Sequence, residues 1–385
     1  MTPRAPLTRW SIYALLGGAS VLFLTPFVWL VCSSLKPLEQ TMALPPTLVP
    51  RAYYATLDGA RKEVTVDYTL RQGGIVADVT AGDQSGQRIF LTPEQAVARA
   101  AELQRAHRVA AGWIHVTERM DPSLPGREAP RWDVVPPDAV TSKIRFRWKN
   151  YPRALALMGG GAESGEGDGS GSVSFWVFLS NTLIVCVLGV IGTVFSNAII
   201  AYGFARLRWR GRDAFFALTL ATLMVPFPVL MVPLYGVFRN LHWIGTLLPL
   251  WVPAFFGSAF NIFLMRQFFL GIPEELSEAA RIDGSSEWRI FWRIILPLSR
   301  PVLAVAALFH FLYAWNDFMG PFLYLTKKET FTLSVALQNY QSQNGGVQWH
   351  YLMAASAVTI LPVVVLFFFA QKTFIQGIAT TGSKG

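Results

Sequence analysis

Cysteine is nearly missing from this chain: of 385 residues, only Cys32 and Cys186 carry a thiol. Both fall in apolar stretches and the long segment between those stretches has none, so no disulfide framework is available and the pair is expected to be structural. Catalytic signatures are missing as well. No G-x-x-x-x-G-K-[ST] run occurs, so the chain is not expected to cradle nucleotide phosphates or hydrolyse ATP itself. There is no G-x-S-x-G elbow, and no His, Cys and Glu residues fall at metal-ligand spacing. We therefore expect no catalytic residue, no cofactor and no metal. Charge is sparse too, at 15% Asp, Glu, Lys and Arg. The net charge of +9 is not gathered into one tract, so no nucleic-acid partner is needed to explain it.

Apolar residues fill the space. They make up 52% of the chain, with 28 Phe, 13 Trp and a mean hydropathy of +0.37, beyond the usual share of a soluble domain. Crossing about 30 Å of hydrocarbon takes roughly 20 apolar residues. Six stretches qualify: 12–35, 173–202, 213–237, 247–269, 302–325 and 351–374. The first follows Arg4 and Arg9 and lacks a small-x-small cleavage site before Lys36-Pro37, so it reads as a retained signal anchor. Arg206, Arg208, Arg210 and Arg212 crowd the second-to-third connection, whereas the third-to-fourth holds Arg239 and the fifth-to-sixth Lys327 and Lys328. The positive-inside bias then puts both termini, and residues 271–300, in the cytoplasm.

Within that cytoplasmic segment stand Glu278-Ala279-Ala280, three residues, Gly284, nine more residues, and Ile294-Ile295-Leu296-Pro297. Pro273 suits a first helical turn, and Glu274 and Glu275 suit its positive dipole end. Ala279 and Ala280 are small enough for a close partner, and Asp283-Gly284 permits a bend. A second segment over 286–295 carries Trp288, Ile290, Phe291 and Ile294 among Arg289 and Arg293, with Pro297 as its expected end. The whole reads as an amphipathic helix–turn–helix outside the bilayer.

This run resembles the EAA-x3-G-x9-I-x-LP signature of permease subunits in binding-protein-dependent ABC importers, with every fixed position filled. Further residues are similar to the carbohydrate-uptake group, the maltose-type second permease subunit: Ser34-Leu35-Lys36-Pro37, Asn181-Thr182, Met231-Val232-Pro233-Leu234-Tyr235, Trp315-Asn316-Asp317-Phe318 and the tail from Gly377 to Gly385. About three quarters of the chain is covered. The resemblance implies an all-α polytopic protein of the type I ABC importer permease kind, with six transmembrane helices, in a bacterial or archaeal cytoplasmic membrane. It implies a second permease, two copies of an ATP-binding subunit and an extracytoplasmic solute-binding protein as partners, sugar as cargo, and coupling to the ATPases through Glu278, Ala279, Ala280, Asp283, Gly284, Ile294, Leu296 and Pro297. Permeases for a polyol, glycerol phosphate or amino acid share the signature and remain open. A secondary transporter would need a proton relay and usually internal repeats, and neither is visible. A membrane-tethered sensor or enzyme would leave the signature unexplained.

Three regions follow: 1–36, a tail and the first span; 37–172, an extracytoplasmic insertion; and 173–385, the permease core with the coupling segment 271–297. In the insertion, residues 51–144 read as a small α+β domain whose function is not written in its residues. Val64, Val66, Tyr68 and Leu70 alternate with polar residues, and Ile75, Ala77 and Val79 repeat the period after Gln72-Gly73-Gly74, which suggests a hairpin. Residues 87–91 offer a third strand, and Thr92-Pro93-Glu94-Gln95 reads as a capping box opening a helix to about Ala111. Residues 122–137 look irregular. Ile144, Phe146 and Trp148 alternate with Lys143, Arg145, Arg147 and Lys149; such a strip can bind nucleic acid or lipid head groups, but we expect the basic face to be solvated on a strand packed against the small domain, and the outer location removes most nucleic-acid partners. Residues 159–172 read as a Gly/Ser-rich linker, in which Gly165 to Gly169 lacks the ligand spacing of a calcium loop.

Asp317 is the lone carboxylate well inside an apolar stretch, so it marks either a translocation path or an interhelical bond. Asn316, Asn181 and Asn261 join it as candidate path residues, with interhelical hydrogen bonding as the alternative use. His310 reads as a packing residue.

Overall fold

The computed structural model describes residues 6–43, 46–81, 85–119, 130–159, 173–340 and 348–381. The Gly/Ser linker beyond 159, the Gly165–Gly169 run, the first half of the 122–137 stretch and the tail from Gly382 lie outside them; the second half of 122–137, expected to be irregular, carries the strand Trp132–Val135. Two compact units form, one mainly from the chain up to Tyr151, the other mainly from 169–347 and 355–385.

The first unit begins with a 29-residue helix, Pro6–Ser34, whose Trp10–Ser34 portion is apolar and long enough to cross a membrane. A tight junction follows. The Asn150 amide donates to the carbonyls of Ser34 (2.7 Å) and Lys36 (2.8 Å), Tyr151 and Ser34 share a hydroxyl bond of 2.8 Å, and the Arg147 N–H reaches the Leu35 carbonyl at 3.1 Å. Lys36 is fully buried; its ammonium donates to the Thr47 carbonyl and lies 4.4 Å above the Trp29 ring.

Eight strands follow: β1 Arg51–Leu57, β2 Ala60–Thr69, β3 Gly74–Val79, β4 Arg88–Leu91, β5 Leu103–Val109, β6 Ile114–Glu118, β7 Trp132–Val135 and β8 Thr141–Ile144. They build two antiparallel sheets, ordered β7-β6-β2-β1-β8 and β4-β3-β5. The expected hairpin around Gln72-Gly73-Gly74 is not there: β2 and β3 belong to different sheets. The chain changes sheet at that point so that Leu70, Val76, Val109 and Val134 bury one another in a shared core. The real hairpin joins β1 to β2 through Asp58 (φ 49°) and Gly59 (φ 78°), the left-handed pair of a type I′ turn. The Thr92 capping box is present, with Gln95 N donating to Thr92 Oγ1 at 3.4 Å and Thr92 N to Gln95 Oε1 at 3.0 Å. Its helix stops at Ala98 rather than Ala111, because 103–109 is drawn into the ladder on the free edge of β3 and buries Val109.

The second unit is helical. Among the described residues four helices are long and apolar enough to cross a membrane, Trp10–Ser34, Phe175–Ala205, Leu248–Leu270 and Trp349–Gln371, or up to six if two bent pairs each count as one span. One pair is Arg212–Met224 with Phe227–Asn240, bent by 100° at Val225-Pro226. The stretch expected as a single span over 213–237 is therefore broken, since proline disfavours helix in the residue before it. The other pair, Glu287–Leu298 with Arg300–Asn316, bends by 77° at Ser299. Phe175–Ala205, capped by the Ser174 hydroxyl, is the axis against which Ala259–Leu270 and Arg300–Asn316 pack. Its Gly189 and Gly192 admit the His310 and Phe255 rings so closely that a Cβ would lie 2.4 and 2.5 Å from them. His310 also shares a 2.9 Å bond with Thr193, and Cys186 is a buried free thiol.

Candidate functional site

The helix Glu275–Ile282 starts with Glu275 and Glu278 in its first turn, where the dipole favours them. It ends in a Schellman closure: the Ser285 N–H bonds the Ala280 carbonyl at 2.9 Å and the Gly284 N–H that of Arg281 at 3.0 Å, with Gly284 at φ +76°. The chain turns there and restarts at Ser286, whose hydroxyl accepts from Arg289 N at 3.4 Å. Pro297 does not end this second segment, contrary to the sequence expectation. A π-helical turn over Phe291–Ile295 widens the spiral, Pro297 sits inside the first turn of Leu296–Leu298, and the break comes two residues later, at Ser299. The wider turn relieves the clash a proline ring makes with the carbonyl four residues back.

One face of this helix–turn–helix is core. Ala280, Ile290, Phe291 and Ile295 pack with Ala198, Ala201 and Tyr202 of the long helix and with Met265 and Phe269. Alanines on both sides let the backbones approach closely. Polar clamps hold the same joint. The Tyr202 hydroxyl donates to Glu287 Oε2 at 2.6 Å, and Arg281 Nε donates to Glu287 Oε1 at 2.8 Å. Arg206 donates to the carbonyls of Phe269 and Ile272 at 2.5 Å each, a cation at a helix C-terminus. The Arg281 guanidinium holds the Glu287 carboxyl below the usual carboxylate range. That contact is therefore intact above the unfolded-state value and lost as pH falls through the depressed one. Tyr202→Phe should destabilise the protein by about 1 kcal/mol through the lost hydrogen bond; thermal inactivation of the purified protein measures it, and an unchanged midpoint would show the bond to be idle.

The other face is open. Glu278, Ala279, Asp283 and Gly284 are exposed, as are Leu276 (44%), Trp288 (59%) and Ile282 (87%). Of the eight residues singled out from sequence, Ala280 points into the core, Ile294 and Leu296 are half-buried beside it, and the others, Pro297 included, lie outward.

The intramembrane candidates do not form one cluster. Asn181 donates to the carbonyls of Glu329 (2.8 Å) and Phe331 (3.0 Å), and Thr182 accepts the Leu333 N–H at 2.9 Å. Asp317 reaches the same segment through its carbonyl, which accepts the Ser334 hydroxyl at 2.6 Å. It is not inside a continuous helix as expected: it follows the end of Arg300–Asn316, and its Oδ1 accepts the Gly320 N–H at 3.1 Å. Asn316 is exposed and bonds back to the Leu312 carbonyl. Asn261 lies elsewhere, beside a break at Gly257-Ser258, where Asn197 Oδ1 accepts the Ser258 N–H at 2.7 Å and Asn261 Nδ2 donates to the Ser258 hydroxyl at 2.8 Å. Asn181 and Asn197 are sixteen positions apart on one helix, about 24 Å. Asn261 is buried and its Oδ1 has no hydrogen-bond partner among the described residues.

Sequence reasoning missed Tyr202, Arg206, Arg281, Glu287 and Asn197. A signal existed for two of them: Ser286 followed by Glu287 is a helix start, and Asn197 is a polar residue deep in an apolar stretch.

Residues 196–380, which include the helix–turn–helix, match the family described as binding-protein-dependent transport system inner membrane component. The arabinooligosaccharides transport system permease protein AraQ of Halalkalibacterium halodurans is 36% identical over 211 residues, covering 55% of this chain and 75% of that protein. The sn-glycerol-3-phosphate transport system permease protein UgpE of Yersinia pestis is 35% identical over 213 residues, covering 55% and 75%. Among solved structures, a bacterial ABC transporter involved in the import of the acidic polysaccharide alginate aligns with a TM-score of 0.50 at 24% identity, over 62% of this chain and 81% of that one, and shares the fold. A multi-pass chain with this segment at its helical core, at this identity over three quarters of its relatives' length, belongs to the binding-protein-dependent transport system inner membrane components and is a permease subunit of an ABC importer.

Proposed function

We propose that this permease carries sugars or oligosaccharides, lines the path together with a second permease, and takes its drive from two ATP-binding subunits that grip residues 271–297 in the cytoplasm. The observation that carries the coupling role is the Schellman-closed bend at Gly284, with alanine-lined packing on one face and exposed Glu278, Leu276 and Ile282 on the other. A surface of large apolar side chains around an acidic residue suits a basic, apolar partner groove. A photo-crosslinking residue at Ile282 should capture the ATPase subunit in the assembled complex; capture of lipid alone would overturn the assignment.

The sugar reading draws on the arabinooligosaccharide relatives, and the glycerol phosphate relatives supply its rival. Uptake by the complete transporter from a panel of neutral oligosaccharides, polyols, glycerol phosphate and amino acids separates them. We expect a neutral oligosaccharide to win; preferred uptake of the phosphate ester would reverse the assignment. Along the path we place Asn181, Asn261, Asn316 and Asp317. Asn261, with its free amide oxygen beside a broken helix, is the best suited to accept from a passing hydroxyl. Both termini then lie in the cytoplasm, and residues 51–144 form an accessory outer domain that contacts the solute-binding protein or a neighbouring subunit.

A further inference from the structure

Residues 143–147 run on from β8 with alternating character and turn at Trp148-Lys149, and the basic side is not simply solvated as the sequence suggested. Both arginines reach Glu63: Arg145, itself exposed, donates to Glu63 Oε2 at 2.7 Å, and the half-buried Arg147 donates to Glu63 Oε1. The apolar side chains face out, with Ile144 65%, Phe146 50% and Trp148 65% exposed. Phe146 and Trp148 are neighbours at 6.3 Å, and Trp148 stacks on Tyr151 at 6.2 Å. The Glu63 pairs hold the arginine side of the strip against the β-rich segment and leave the apolar side chains without a partner there.

Water is a poor neighbour for three adjacent large apolar side chains. The strip's height relative to a membrane follows from its bonds. Arg147 N–H holds the Leu35 carbonyl, and Tyr151 holds the Ser34 hydroxyl, at the very end of the apolar helix Pro6–Ser34. Where a spanning helix ends, hydrocarbon gives way to headgroups, and Trp and Tyr favour that layer because an apolar ring and a polar edge are both satisfied there. Exposed Lys143 and Lys149 flank the rings and suit phosphate. We propose that Ile144, Phe146 and Trp148, with Lys143 and Lys149, form an interfacial anchor that lays the neck of the β-rich segment on phospholipid headgroups at the end of the first helix. This rests on that helix crossing the membrane.

The test uses the complete transporter in vesicles of phosphatidylethanolamine and phosphatidylglycerol, with Cys32 and Cys186 replaced by serine. Spin labels are placed singly by Ile144→Cys, Phe146→Cys and Trp148→Cys, with Val97→Cys, 78% exposed in the same β-rich segment, as the aqueous reference. Collisions with oxygen, which concentrates in lipid, are compared with collisions with a water-soluble nickel chelate. At 144, 146 and 148 the oxygen-to-chelate ratio should exceed that at 97 severalfold. A ratio equal to that at 97 would place the strip in water, and shielding from both reagents would mean that protein covers it; either result overturns the anchor. If the Trp148 variant fails to assemble, 144 and 146 carry the test with Trp148 intact.

Discussion

Gly284→Val should abolish uptake while the permease still inserts and assembles. At φ +76° a β-branched side chain costs about 1–3 kcal/mol, whereas glycine adopts that conformation freely. No atom lies within 4 Å of the position a Cβ would take, so the cost is in the backbone and not in a clash with the core. A penalty near 2 kcal/mol lowers the population of the bent form roughly 30-fold while leaving the buried contacts of Ala280, Ile290 and Phe291 in place. Gly284→Asn is the control, because asparagine tolerates the left-handed region, and it should retain most uptake. Glu278→Lys should also abolish uptake, since its carboxylate is exposed and free to meet a basic group. The reversed charge costs the helix only about 0.3–1 kcal/mol. Normal uptake by both Gly284→Val and Glu278→Lys would remove the segment from the coupling path.

Splicing Pro50 to Arg145 through a short Gly/Ser linker should leave an assembled complex with basal ATPase activity but weakened stimulation by the solute-binding protein. The ends to be joined already touch: the Arg145 N–H bonds the Pro50 carbonyl at 3.1 Å, and Arg51 pairs with Ile144 at the open end of the β1–β8 ladder. The bonds from Asn150 to Ser34 and Lys36 lie outside the excised stretch and hold the junction without it. Arg147 loses Glu63 in the splice but gains solvent, so no unpaired buried charge remains. Loss of insertion or of assembly would make the β-rich segment integral to the fold. Undiminished stimulation would remove it from the docking site.

Local chemistry was legible wherever it was self-contained. The bend at Gly284 and the Thr92 capping box both depend on residues within a few positions of each other, and both stand in the structure. Pairings that join distant segments were not legible. Alternation along 64–79 announced strands but not their sheet, and the turn signal that mattered, Asp58-Gly59, lay 14 residues upstream of the one chosen. The 103–109 stretch gave up helix for a ladder on β3, a choice made by partners 24 to 35 residues away. Asp317 looked like a charge buried in a helix because hydropathy does not register that the helix ends one residue earlier. The 143–149 strip read correctly as two-faced. That the arginines would pair was decided by Glu63, some 80 residues earlier.

The joint between the long helix and the helix–turn–helix is lined with methyl groups from Ala198, Ala201, Ala205, Ala280 and Ala306. Alanine has no rotamers to exchange, so such a contact has no slack to take up before force is passed on. Arg206 and Glu287 bolt its rim. A push on residues 275–282 is therefore expected to swing the lower ends of three helices together as one stiff crank, and mechanical compliance is left to the sharply bent elements, at Val225-Pro226 and at Ser299.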